Sequence, residues 1–448
     1  MKLTVRQFAV HSLAASTLCA GLGGCDFKRP APPADATAES SAPVKQPAPP
    51  AAPKDDATAV AALEDAGYLI EKSADGTVTS VAIASDADVS ETYRHLAGVP
   101  SVTQARFTGP GIDDKGLEIL SELKQLQRLD FTDSAITDKT LDVVAKLPGL
   151  QVLSLRRVGV TDEGLEKLSP LQKLRAIDLR NTNIGNGGMK AIAKLKSLQD
   201  AQLEKSKVTD AGVKELAGLP LKSFNANYCT SLSDATLEVF AKIPTLEQIQ
   251  LDYTKISDEG MPSLANLKKL KRLRIRGCDV TGEGIKHLAG ANEMARMELR
   301  DTSIDDEGLA VIAKFPKLTY LDLGECRLIS PDGIKQLGAA TGLTYLGFWE
   351  TKLDDDALNA LGGLVNLVEL DLKATNISDE SIPTLLKFQK LENLNVGGIY
   401  QLTDDGFAEL GKLPNLKTIN VANTQIGSSG LGALEDQNEN LKIVEYEN

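Results

Sequence analysis

The sequence predicts an α/β solenoid in which one short strand and one short helix make a unit that is stacked many times. Three observations predict it. A Leu-x-x-Leu-x-Leu block recurs, with starts at Leu150, Leu174, Leu246, Leu270, Met294, Leu318, Leu343, Leu367, Leu391 and Leu416, and successive starts along the array differ by 23 to 25 residues. Each block ends in a period of two and is followed by helical spacing, so its hydrophobic pattern changes once per unit. Hydrophobic residues make up 42% of the 448-residue chain but aromatics only 4%, so the core is built from Leu, Ile, Val and Ala in thin layers. A stacked array also escapes the size limit on a single core.

The elements follow in order. Lys2 and Arg6 precede an apolar run, Phe8 to Leu22, too short for a stable membrane span. It ends in Leu22-Gly23-Gly24-Cys25, which resembles a bacterial lipobox. The resemblance implies a signal peptide over 1–24, lipidation of Cys25, and a place in the cell envelope, on the periplasmic side of a membrane or at the cell surface, held by a lipid anchor only. Residues 25–54 are rich in Pro and Ala, as in Pro47-Ala48-Pro49-Pro50, and form a tether that cannot bury a core. Asp56 to Ala66 is spaced as an amphipathic helix, and Asp75-Gly76 marks a hairpin between Tyr68-Leu69-Ile70 and Val78-Thr79-Ser80-Val81. Residues 55–77 are therefore expected to cap the first edge of an array that runs over 78–448 in about fifteen units, the last one truncated.

Within one unit, Leu150-x-x-Leu153-x-Leu155 is a strand with one face inward. Thr161-Asp162-Glu163 supplies a helix cap and first-turn acids, and Gly164-Leu165-x-x-Leu168 is the helix. This pattern resembles the leucine-rich-repeat family in its ribonuclease-inhibitor-like and cysteine-containing forms. The resemblance implies a right-handed, curved solenoid with parallel strands on the concave face and helices on the convex face. At the position where the family usually carries Asn, this chain has Thr182, Thr254, Cys278, Thr302, Cys326 or Thr351.

Catalytic chemistry is not expected. Cys229, Cys278 and Cys326 share one repeat position in every second unit, roughly 10 Å apart and too far for a disulfide. They read as buried small thiols in preference to a metal or redox row. The histidines outside the leader, His95 and His287, stand about eight units apart, and no nucleophile–base pair, zinc spacing or phosphate loop is visible. Asp354-Asp355-Asp356 could suggest calcium, but such runs recur where helices begin, and capping explains them better. No cofactor or metal is called for. The net charge of −13 argues against nucleic acid as a partner.

The third, fifth and seventh positions of the strand block face the concavity. Read across units they give Arg272, Arg274 and Arg276, then Arg296, Glu298 and Arg300, then Tyr320, Asp322 and Gly324, then Tyr345, Gly347 and Trp349. Arg272 is expected beside Arg296 and Arg276 beside Arg300, with Glu298 and Asp322 neutralising part of the like charge. Arg, Tyr and Trp dominate interface hot spots, so Arg272, Arg274, Arg276, Arg296, Arg300, Tyr320, Tyr345 and Trp349 are the candidate binding residues. The expected partner is an acidic protein. An acidic polysaccharide, or a structural spacer role with a merely solvated, internally paired strand face, is the alternative. Arg156, Arg157 and Arg180 form a lesser basic cluster.

Overall fold

The computed structural model describes residues 54–446. The expected signal peptide, Cys25 and the tether up to residue 53 lie outside the described residues. Asp56 caps the helix Ala57–Asp65, its carboxylate accepting from the Thr58 N–H at 2.8 Å. The strand Leu69–Lys72 then pairs antiparallel with Val78–Ala84 across a turn in which Gly76 takes φ 87°. From Val78–Ala84 every strand pairs parallel with the next in sequence, ending at Lys442–Val444, so that seventeen strands form one sheet. The described parallel strands number sixteen, against about fifteen units expected; they include Gln104–Thr108, formed by the degenerate copy Val102-x-x-Ala105-x-Phe107 with the 3-10 helix Leu117–Glu122 behind it.

Strand register follows the repeat. Arg272, Arg296, Tyr320, Tyr345, Glu369, Asn393 and Thr418 stand side by side. Their inward neighbours Leu273, Met297, Leu321, Leu346, Leu370, Leu394 and Ile419 are all buried. That alternation gives the sheet one face in the core and one outside. At the strand exits the chain reverses through a left-handed residue: Asp133, Arg157, Asn181, Lys205, Tyr228 and Tyr253 all have φ between 53° and 62°. A side chain there is mildly strained, and hydrogen bonds hold it: the Asp133 N–H donates to the Arg156 carbonyl, and that of Arg157 to the Arg180 carbonyl. Behind each exit lies the Thr/Cys row. Thr254 Oγ1 and Cys278 Sγ both donate to the Leu251 carbonyl, at 2.8 and 3.2 Å. Thr302 and Cys326 do the same to Leu299.

The acids at the helix starts join neighbouring units. Asp138 accepts from the Thr161 N–H at 2.8 Å and from its hydroxyl at 2.6 Å. Asp210 with Ser233, Asp234 with Ser257, Asp258 with Thr281, Asp306 with Ser330, Asp355 with Ser378 and Asp379 with Thr403 repeat the arrangement. Glycine two residues into the next helix makes room for this carboxylate: a Cβ at Gly164, Gly284, Gly333 or Gly406 would overlap it. Thr140, Thr236 and Ser381 take the glycine's place by donating their hydroxyls to it. In the Asp354-Asp355-Asp356 run, Asp354 caps its own helix and Asp355 serves the next unit. No described helix is long and apolar enough to cross a membrane.

Candidate functional site

On the outer face of the sheet the candidate residues are brought together. Arg296 lies over the Tyr320 ring, its guanidinium carbon 3.5 Å from the centroid. Tyr320 stacks on Tyr345, centroids 3.9 Å apart and planes 5° from parallel. The strand spacing of about 4.8 Å sets this stacking up, because equal registers place rings directly opposite. Trp349 sits next to Gly324 and Arg300 in the row one residue before the left-handed turn. With no side chain on Gly324, the indole reaches the Arg300 guanidinium at 3.7 Å, and Lys373 stands 5.2 Å from the ring.

Each arginine of the patch also has a carboxylate. Arg272 and Arg296 converge on Glu298, at 2.9 and 2.5 Å. Arg300 pairs with Glu325 at 2.5 Å. Arg274 donates to Asp252 Oδ2 at 2.7 Å through Nε, and Asp252 Oδ1 accepts the Arg276 backbone N–H at 3.0 Å. The Asp252 side chain is 0% exposed. Burial raises the Glu298 carboxyl, but the hydrogen bond from Arg296 and the nearby Arg272 and Arg296 charges outweigh it, leaving the group below its ordinary value. Asp322 is raised instead, by burial, with no ion pair among the described residues. The five guanidinium groups thus stand among four carboxylates (Asp252, Glu298, Asp322 and Glu325), and the excess positive charge expected for an acidic partner is largely neutralised from within.

In the lesser cluster Arg157 pairs with Asp133 and Arg180 with Asp178. The cysteine thiols are buried and unpaired with one another, and burial pushes the Cys326 thiol up to about 11, which suits an inert packing group.

Two features lie outside the columns that end at Trp349. Tyr228 and Tyr253, both in left-handed turns, stack with centroids 5.1 Å apart on the rim of the face, and Lys205 stands 5.1 Å from the Tyr228 ring. Past Tyr345, a groove of about 320 Å³ is lined by Glu369, Asp371, Asn393, Asn395, Thr418 and Asn420. Continuing the same columns to the next units finds it. The rim tyrosines carry no such signal, because the turn position varies freely in polarity.

The Leucine Rich repeat family matches at residues 171–193, 266–289, 316–338 and 412–434. Among solved structures, a leucine-rich-repeat protein of Leptospira interrogans superposes with TM-score 0.54 at 18% identity, covering 78% of this chain and 91% of that one. The chain has the leucine-rich-repeat fold, and four of its units match that family's repeat. An internalin of Listeria monocytogenes (TM-score 0.44, 19% identity, 88% of this chain and 96% of that one) and the yeast Rad7–Elc1 complex (0.48, 17%, 75% and 84%) are further matches. No curated protein sequence matches. Leucine-rich-repeat proteins are generally binding scaffolds without enzymatic activity, commonly for other proteins.

Proposed function

We propose that this leucine-rich-repeat protein binds a partner protein through the outer face of its strands, centred on Arg296, Tyr320, Tyr345, Arg300 and Trp349. The carrying observation is the continuous stack of Arg296, Tyr320 and Tyr345, with Glu298 fixing the arginine. Side chains already locked in place lose little rotamer entropy on docking, which favours affinity. The paired charges favour recognition by aromatic and guanidinium planes over selection by net charge, so an acidic protein or polysaccharide is the weaker choice of partner. The lipobox-like Leu22-Gly23-Gly24-Cys25 supports an envelope location with Cys25 as the lipid site.

The test is capture of envelope proteins by the full chain, beside Trp349→Ala and Tyr320→Ala variants with unchanged thermal midpoints. A species held by the parent chain and lost by both variants supports the reading. Equal capture by all three moves binding to another face. Release of a Cys25→Ser variant from the membrane fraction checks the anchor separately.

A further inference from the structure

The stack of Arg296, Tyr320 and Tyr345 is built to one side only. Arg296 covers one face of Tyr320, Tyr345 covers the other, and the far face of Tyr345 borders the groove of about 320 Å³. On the near side the guanidinium is held by Glu298, two residues further along the strand from Arg296, at 2.5 Å. On the far side the strand Glu369–Asp371 repeats half of that arrangement. Asp371 stands in the same row as Glu298, and the position equivalent to Arg296 holds Glu369. The groove therefore has the ring face and the carboxylate but, in place of the cation, a second carboxylate.

We infer that this groove takes the guanidinium of an arginine side chain from the partner protein, seated on the open face of Tyr345 and held by Asp371. The inference rests on the strand-face reading above and names the chemistry of its partner. Charge complementarity selects the occupant. The Glu369 and Asp371 carboxylates both line the groove, and the Glu369 carboxylate accepts from Asn393 Nδ2 at 3.2 Å. Asp371 spends one oxygen on the backbone N–H of Lys373, at 3.0 Å. Burial raises the Asp371 carboxyl, outweighing the bond from the Lys373 N–H and the nearby Lys373 and Arg300 charges. A planar guanidinium can stack on a ring and bond a carboxylate at once, which a lysine ammonium does less well. Asn395 and Asn420 extend the polar lining beyond that point.

The probe is N-acetylarginine methylamide, titrated against the full chain by saturation-transfer NMR. The uncharged citrulline analogue and N-acetylglucosamine are run as separate arms. The arginine probe is expected to bind, and D371N to weaken it by about tenfold, the loss of one charge-assisted hydrogen bond. E369R places a guanidinium in the groove from within and should abolish binding while the chain melts as before. Equal binding of citrulline or of the sugar overturns the assignment in favour of a neutral hydrogen-bonding ligand. Undiminished arginine binding by E369R, or no arginine binding at all, also overturns it. Failure here with capture by the parent chain still lost in Trp349→Ala removes only the groove assignment. Capture indifferent to Trp349→Ala removes the strand-face reading on which it rests.

Discussion

Gly282 stands where neighbouring units carry an aspartate, and the carboxylate of Asp305 in the next unit fills the space its side chain would take. Asp305 is in turn the residue that caps the following helix, where most units have Ser or Thr. Another exception has the same form: Pro331 replaces the aspartate and Asp354 caps the next helix. Each carboxylate is thus supplied either by the helix start behind or by the cap in front, never by both, since two would repel. Gly282→Asp alone is expected to destabilise the chain by about 2 kcal/mol, through overlap and like-charge contact. Adding Asp305→Thr restores the common pairing and should recover most of the loss. A double-mutant cycle on denaturation midpoints measures the coupling.

The inter-unit carboxylates also predict a pH response. Burial raises the Asp210 carboxyl, but hydrogen bonds from Thr236 and Ser233 outweigh it and hold the group below its ordinary value. A folded value below the unfolded one means stability that is present above the usual carboxylate range and lost as pH falls through the folded value. Asp210→Asn should cost about 1 kcal/mol at neutral pH, since Asn186 fills the equivalent place and bonds Thr209 in the same way. The difference from the parent chain should shrink as pH falls below the ordinary carboxylate range. Asp371 is raised by burial, so its penalty is present above its folded value and absent at low pH. Asp371→Asn should therefore stabilise at pH 7 and do little at pH 4. Chemical denaturation at a series of pH values reads both effects.

The strand register, the inward row and the company of Arg296, Tyr320, Tyr345 and Trp349 follow from period-two spacing carried across identical units. Arg272 and Arg296 stand side by side as the columns require. What spacing could not supply is which charges cancel. Asp252 and Glu325 lie in the seventh-position and turn columns, where nothing in the repeat says that their side chains will turn onto Arg274 and Arg300. The second role of the helix-start acids was also hidden. Asp162 looks like an ordinary first-turn acid, and only stacking brings it onto Gly185 of the next unit, 2.8 Å from its N–H.

The three thiols offer a direct check on packing. Cys229, Cys278 and Cys326 are buried, their Sγ atoms donating to carbonyls of the preceding unit at 3.1 to 3.2 Å. Burial raises all three. A thiol-specific disulfide reagent at pH 8 should leave them unreacted in the folded chain and modify them at once in guanidinium chloride. Rapid labelling without denaturant would mean that the Thr/Cys row opens locally.

Arg274 and Trp349 both belong to the candidate surface, yet their removal should have different consequences. Arg274 has 23% of its side chain exposed and pairs with an Asp252 that has none. Burial lowers the Arg274 guanidinium, and its bond to Asp252 raises it by more. Arg274→Ala leaves the buried carboxylate with only the more distant Arg276 guanidinium, at 4.0 Å, so a loss of about 3 kcal/mol is expected. Arg274→Ala with Asp252→Asn should regain much of it, because the amide needs no counterion and its oxygen can still accept from Arg276. Trp349→Ala removes ring contacts on the outer face and leaves no buried charge behind, so a loss nearer 1 kcal/mol is expected. Thermal midpoints of the three variants separate these outcomes. If Arg274→Ala melts like the parent chain, Arg276 compensates Asp252 and the Arg274 ion pair does not hold this face together. If it melts early while Trp349→Ala does not, only Trp349 can be used to judge partner binding, since capture lost with Arg274 would report unfolding as readily as recognition.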